Sequence, residues 1–144
     1  MGLMTAIAVS ASGLTAQRRR LEVLVSNMVN ANTTQPAGQD PYRRKDVVFT
    51  STMPEVSFDS AFDDAMLDVQ GVEVSRVVTD TSEPLKRYEP GHLHADKDGY
   101  VSYPNVNFME EMVNILSAAR SYEANVQAVS AAKEMAQKTL EILR

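Results

Sequence analysis

Apolar residues recur three and four apart along the C-terminal stretch from Asn107 to Arg144. They are Met112, Ile115, Ala119, Tyr122, Val126, Val129, Ala136, Leu140 and Leu143, with Lys133 the one polar member of the line. This 3.5-residue period marks a helix that lies along another helix. No proline or glycine follows Pro104, so nothing in the stretch has to break it. At 1.5 Å per residue such a helix is a rod of roughly 55 Å, which needs a partner of similar length. The N-terminus supplies one. Met4, Ile7, Ala11, Leu14, Leu21, Val25 and Met28 show the same alternation, interrupted only by Arg18. The pattern predicts a mainly α chain with a small β region. Its long terminal helices pair as a coiled-coil-like hairpin around a short β-rich middle. In domain terms these are residues 1–35, 36–103 and 104–144, with the two helices forming one packing unit.

Between the helices the period changes. Pro36, Gly38 and Pro41 mark a loop. Val47-Val48-Phe49-Thr50 reads as a short strand, Gly71 to Thr79 as the clearest strand, and Tyr100 to Tyr103 as a last one. In the second strand Val72, Val74 and Val78 fall on one face by alternation. The acidic stretch from Ser57 to Val69 fits a surface loop or a short helix. Glu83 to Gly99 is rich in turn residues. Asn107, with Glu110 three residues on, is placed to cap the C-terminal helix. Asn30 or Asn32 is placed to end the N-terminal one in a left-handed conformation. Asn27, a turn inside and beside the seam, is an amide of the kind that fixes register between packed helices.

The first half of the N-terminal helix carries no charge, and Ala6, Ala8, Ser10, Ala11, Ser12, Gly13 and Ala16 put small groups around most of its circumference. A helix exposed to water normally carries Lys and Glu on its outer face, so this one expects close neighbours on several sides. Gly13 costs about 1 kcal/mol in a helix interior, which a close contact offsets. The run Arg18-Arg19-Arg20 is either a solvated face or an ion-pairing site for a neighbour.

Composition narrows the function. The net charge of −5 argues against a nucleic-acid binder. The absence of cysteine excludes disulfides and thiol chemistry. The longest uncharged run, Met1 to Gln17, is too short and too polar for a membrane span and lacks the basic start of a standard signal peptide. His92, His94, Asp96 and Asp98 would share one face of a strand and hold a metal, or form a solvated turn before a hairpin. The turn is favoured; a calcium loop also fails, because with Asp96 and Asp98 at positions 3 and 5 Gly99 fits but His94 falls at position 1 and Asn105 where the bidentate Glu belongs. There is no phosphate-binding glycine loop, and Glu110-Glu111 reads as first-turn acid complementing the helix dipole. No enzyme, cofactor or small-molecule substrate is expected.

Ser26-Asn27-Met28-Val29-Asn30-Ala31-Asn32-Thr33-Thr34 resembles the N-terminal signature of the bacterial flagellar axial proteins, which build the rod, hook and hook junction. Val29 stands where alanine is usual and adds two methyl groups at a position expected to be tightly packed. Asn105, Val106 and Asn107 with Glu111, Met112, Arg120, Tyr122, Glu123 and Asn125 are similar to the family's C-terminal signature. Phe108 replaces a frequent proline. The short chain, the segment from Tyr42 to Phe49, and Pro104 in Tyr103-Pro104-Asn105-Val106-Asn107 look like a proximal-rod subunit. The resemblance implies a structural protein that packs through Ser26, Asn27, Met28, Asn30, Asn32, Thr33 and the C-terminal motif residues. It implies assembly with itself and with FliE, FlgB, FlgF and FlgG. It also implies export by the flagellar type III apparatus without a cleaved signal, into the basal body. The alternatives are another rod position, FlgB-like, or a self-contained helical module that binds protein and is fully folded alone.

Overall fold

The computed structural model describes residues 3–52 and 70–142. Two long helices bracket a small β region. Helix α1 spans Leu3–Asn30 and α2 spans Phe108–Ile142, 28 and 35 residues. Between them lie β1 (Lys45–Thr52), β2 (Gly71–Thr79), β3 (Leu85–Tyr88) and β4 (Tyr100–Tyr103). Strands β1 and β2 form one two-stranded sheet, and β3 and β4 a second. Residues 53–69 and Leu143 lie outside the described residues, so the acidic loop-or-helix stretch and the last seam position have no structural account.

Helix α2 starts where the cap was expected. Asn107 Oδ1 accepts from the backbone N–H of Met109 at 3.1 Å and of Glu110 at 3.4 Å. The end of α1 differs from expectation. No non-glycine residue among those described has a positive φ, so neither Asn30 nor Asn32 is a left-handed cap. The Asn30 amide instead donates to the Ser26 carbonyl at 2.8 Å, and Thr33 covers the Asn30 carbonyl with its N–H and its hydroxyl. A side chain that bonds back into its own last turn satisfies the same orphan carbonyls without the strain of that conformation.

Strand β3 lies inside the stretch that reads as turns. It pairs antiparallel with β4, Leu85 opposite Tyr103 and Tyr88 opposite Tyr100. Their connection is turn after turn, held by Asp96, whose Oδ1 accepts from the N–H of Asp98 and of Tyr100. Gly99 sits at φ 82° against the Tyr88 ring; a Cβ there would lie 2.9 Å from Tyr88 Cε2. Tyr88 and Tyr100 meet edge to face at 5.4 Å, and the Arg87 guanidinium lies 4.8 Å over the Tyr103 ring.

The chain packs as two compact units, each drawing on both helices. One holds the described residues of Met1–Arg19, Val48–Arg76 and Ala118–Arg144; the other holds Arg20–Val47 and Val77–Ser117. Among the described residues, the buried core of the second unit is Val23, Leu24, Ala31 and Val101, with Asn27, Pro104 and Glu111 also buried. In the first unit the buried apolar residues among those described are small. Ala16, Ala118 and Ala132 are buried, and the Asn125 amide rests on Gly13, where a Cβ would lie 3.0 Å from its nitrogen. Ser12 receives the start of β2: its Oγ accepts from the Val72 N–H at 3.1 Å, and a Cβ on Gly71 would lie 3.0 Å from that oxygen. The small residues of α1 are thus approached from two sides, by α2 at Gly13 and by β2 at Ser12, while Ala8 and Ala11 face outward.

Candidate functional site

Among the described residues the most organised polar group is centred on Asn27, which has no solvent exposure. Its Nδ2 donates to the Lys45 carbonyl at 2.7 Å and to Glu111 Oε2 at 3.0 Å. Its Oδ1 accepts from the Lys45 N–H at 2.9 Å and from the Tyr42 hydroxyl at 2.8 Å. Both amide hydrogens and both lone pairs are therefore used. The amide grips one residue's N–H and C=O as a neighbouring strand would, and so ties the start of β1 to α1.

Glu111, also without exposure, carries the tie on to α2. Its second oxygen accepts from Arg44 Nε at 2.7 Å. That hydrogen bond pushes the Arg44 pKa above its ordinary value, with burial opposing it. Arg44 also lies 3.7 Å from Asp46. Ser26 Oγ completes the ring at 3.3 Å from the Tyr42 hydroxyl. A buried carboxylate left alone would cost several kcal/mol; here it has a cation and an amide, one on each oxygen. Glu111 stands with Glu110 in the first turn of α2, as expected, and is also a lock between elements. Beside Arg44 a cleft of about 10 Å³, lined also by Tyr42, Asp80 and Asn105 among others, has room for one water.

The other motif residues fall elsewhere. Met28, Asn30, Val106 and Asn125 are half-buried; Asn32, Thr33, Asn105, Asn107, Met112, Arg120, Tyr122 and Glu123 are exposed. Of the seam residues, Ile7, Leu14, Leu21, Ile115, Ala119, Val129 and Ala136 are half-buried, while Met4, Ala11, Val25, Val126 and Leu140 are exposed. The line buried on α2 runs one residue to the side, through Glu111, Ala118, Asn125 (half-buried) and Ala132. Lys133 then lies beside the seam, exposed, which accounts for the polar break. Val29, expected in a tight position, is 67% exposed.

Large apolar side chains consequently point away from the chain's own core. Met109 is 67% exposed, Val113 65%, and Phe108, Met112 and Leu116 about half. On a helix Met109, Met112, Val113 and Leu116 share the side away from Glu111 and Ala118. Exposed apolar stripes of this kind mark protein contacts. Of the histidines, His92 Nδ1 accepts the His94 N–H at 3.1 Å, and His94 Nδ1 lies 2.8 Å from Thr34 Oγ1. Sequence reasoning named Asn27 and Glu111 but left out Tyr42 and Arg44 as site residues. A basic run such as Arg43-Arg44-Lys45 carries no sign of which cation is turned inward.

Comparison with known proteins places this arrangement. Residues 7–36 match the flagella basal body rod protein family, and residues 97–142 match the C-terminal family of flagellar basal body rod FlgEFG proteins. These regions hold α1 from Ile7 and all of α2. The flagellar basal-body rod protein FlgC of Borreliella burgdorferi is 40% identical over 100% of this chain and 99% of its own. The chain belongs to the FlgC family of flagellar basal-body rod proteins. FlgC of Salmonella typhimurium is 42% identical over 97% of each chain, and FlgC of Bacillus subtilis 43% over 93% of each. In FlgC terms the chain is a structural subunit of the flagellar basal-body rod, and the lock around Asn27 joins the two regions that the family matches cover.

Proposed function

We propose that this chain polymerises through its terminal helices, with copies of itself and with FliE, FlgB, FlgF and FlgG as neighbours, in the proximal part of the periplasmic rod. Residues 1–35 and 104–144 act as one assembly unit, with residues 36–103 as its outer part. The flagellar type III apparatus exports the chain without cleaving a signal, and the protein performs no catalysis. The observation that carries this reading is the inversion of the helix faces. On α2 the inward line is small and polar, through Glu111, Ala118 and Ala132, while Met109, Met112, Val113 and Leu116 face outward.

A subunit built this way is stabilised by its neighbours. Helices with uncovered apolar faces order when other helices cover them, and many intersubunit contacts offset the ordering entropy. Helices tied laterally to several subunits resist twisting better than loops, which suits a shaft that transmits torque.

The test is Ala124→Pro, made in a strain lacking the native gene. Ala124 is exposed on α2, so the change creates no buried clash. It removes a helix hydrogen bond at a cost of about 3 kcal/mol. The expected result is synthesis of the protein without rods or swimming. A motile strain would overturn the proposal.

A further inference from the structure

Two outward helix faces of this chain are complementary to each other. On α1, Arg18, Glu22, Val25 and Val29 are all exposed and follow one another four, three and four residues apart. That spacing keeps them on a single line along the helix, on the side away from Val23, Leu24 and Asn27. On α2, the adjacent Met112 and Val113, then Leu116, Arg120 and Glu123 at further steps of three and four, are all exposed, on the side away from Glu111 and Ala118. The first line reads basic, acidic, apolar, apolar. The second, read backwards from Glu123, gives acidic, basic, apolar, apolar.

Resting on the rod-assembly reading, we infer that α1 of one copy docks antiparallel on α2 of a second copy. In this register Val29 meets Met112 and Val113, Val25 meets Leu116, Glu22 meets Arg120, and Arg18 meets Glu123. A parallel pairing fails, because it sets Val29 against Glu123 and Arg18 against Met112. Both halves of the pattern lie on one chain, so the occupant that fits is another copy of it. The surfaces differ, so the contact is heterologous. Each copy offers α1 to one neighbour and α2 to another, and such contacts continue into a ring or an open helix. The ion pairs sit at the rim and set direction, while the Val, Met and Leu contacts exclude water. Val29, with its two methyl groups more than alanine, is then a contact residue for the next copy.

The test uses the cysteine-free chain. Val25→Cys and Leu116→Cys are made as separate variants and co-produced in a strain lacking the native gene. Basal bodies are purified after mild oxidation. A covalent dimer of the chain is expected when both variants are present, and none with either alone. Val25→Cys with Ser130→Cys, which lies outside the register, should give no dimer. Basal bodies that contain both variants but yield no 25–116 dimer overturn the inference and leave the rod reading intact. A photoreactive residue at position 25 gives a second reading. Adducts to α2 of another copy support the inference, and adducts only to a different rod protein overturn it. Absence of the chain from basal bodies refutes the rod reading itself, and the inference with it.

Discussion

The substitution Glu111→Gln tests whether the buried lock is what holds α2 to the rest of its unit. Glutamine has the same shape but one donor end and one acceptor end. Glu111 now accepts on both oxygens, from Arg44 at 2.7 Å and from Asn27 at 3.0 Å. With its oxygen toward Arg44, the new amide sets an N–H against the Asn27 N–H. Flipped, it sets that N–H against the guanidinium. Asn27 cannot turn to relieve the clash, because both ends of its amide are held by Lys45. The loss is one charge-assisted hydrogen bond, worth about 1.5–3 kcal/mol, with a buried donor left unmatched. We expect a destabilisation of about 2–3 kcal/mol. With a urea m-value of about 1–3 kcal/mol/M, the midpoint falls by roughly 1–2 M. Tyrosine fluorescence reports the transition, because the chain has five Tyr and no Trp. Hydrogen exchange should quicken most around Lys45 and Glu111. A change below about 0.5 kcal/mol, the size of a surface substitution, would refute the reasoning.

Gly13→Leu should dislodge Asn125 and cost about 1–3 kcal/mol by overpacking. Gly13→Ala should be close to neutral in the same thermal melt, because the amide can give way and alanine favours the helix by about 1 kcal/mol. Gly99→Ala meets both a left-handed φ and the Tyr88 ring; a loss of about 1–2 kcal/mol is expected, and an unchanged melting temperature would count against the β3–β4 turn. Tyr103 donates to Glu89 at 2.9 Å, and this bond raises its pKa above the ordinary tyrosine value. A raised pKa stabilises the fold below the unfolded value and loses that contribution as pH rises through the folded one. Ultraviolet titration should therefore show one late-ionising tyrosine that Tyr103→Phe removes.

The element pattern was legible because long-period signals are local. The 3.5-residue alternation located both helices, and the Gly71–Thr79 strand matched to the residue. Strand β3 escaped because Leu-Lys-Arg-Tyr is short, charged and flanked by proline, and becomes a strand only by pairing with β4. Asn27 was recognisable as a register residue, since an amide beside a seam has few other uses. Its partners were not, because Lys45 contributes only backbone. Nor was Glu111's inward turn, which depends on an arginine that lies 67 residues away in the chain.

The side of α2 that is buried was the least legible feature, and the cause is physical. Apolar periodicity reports every surface a helix will bury, in its own chain and in its neighbours alike. When the larger apolar area belongs to neighbours, the strongest stripe in the sequence leans away from the subunit's own core. Here the interior line is Glu111, Ala118, Asn125 and Ala132, and most of its members carry little apolar weight. Such an interior suits a subunit that stays separate until it assembles. Alanines and a saturated polar lock set the geometry, while Met112, Val113 and Leu116 hold their apolar surface for the contact made later. Polar residues at 112, 113 and 116, which are all exposed, should leave the lone subunit's stability nearly unchanged and abolish the rod. Urea unfolding and swimming would report the two effects separately. A swimming strain would show that the outward stripe is not needed for assembly, contrary to this account.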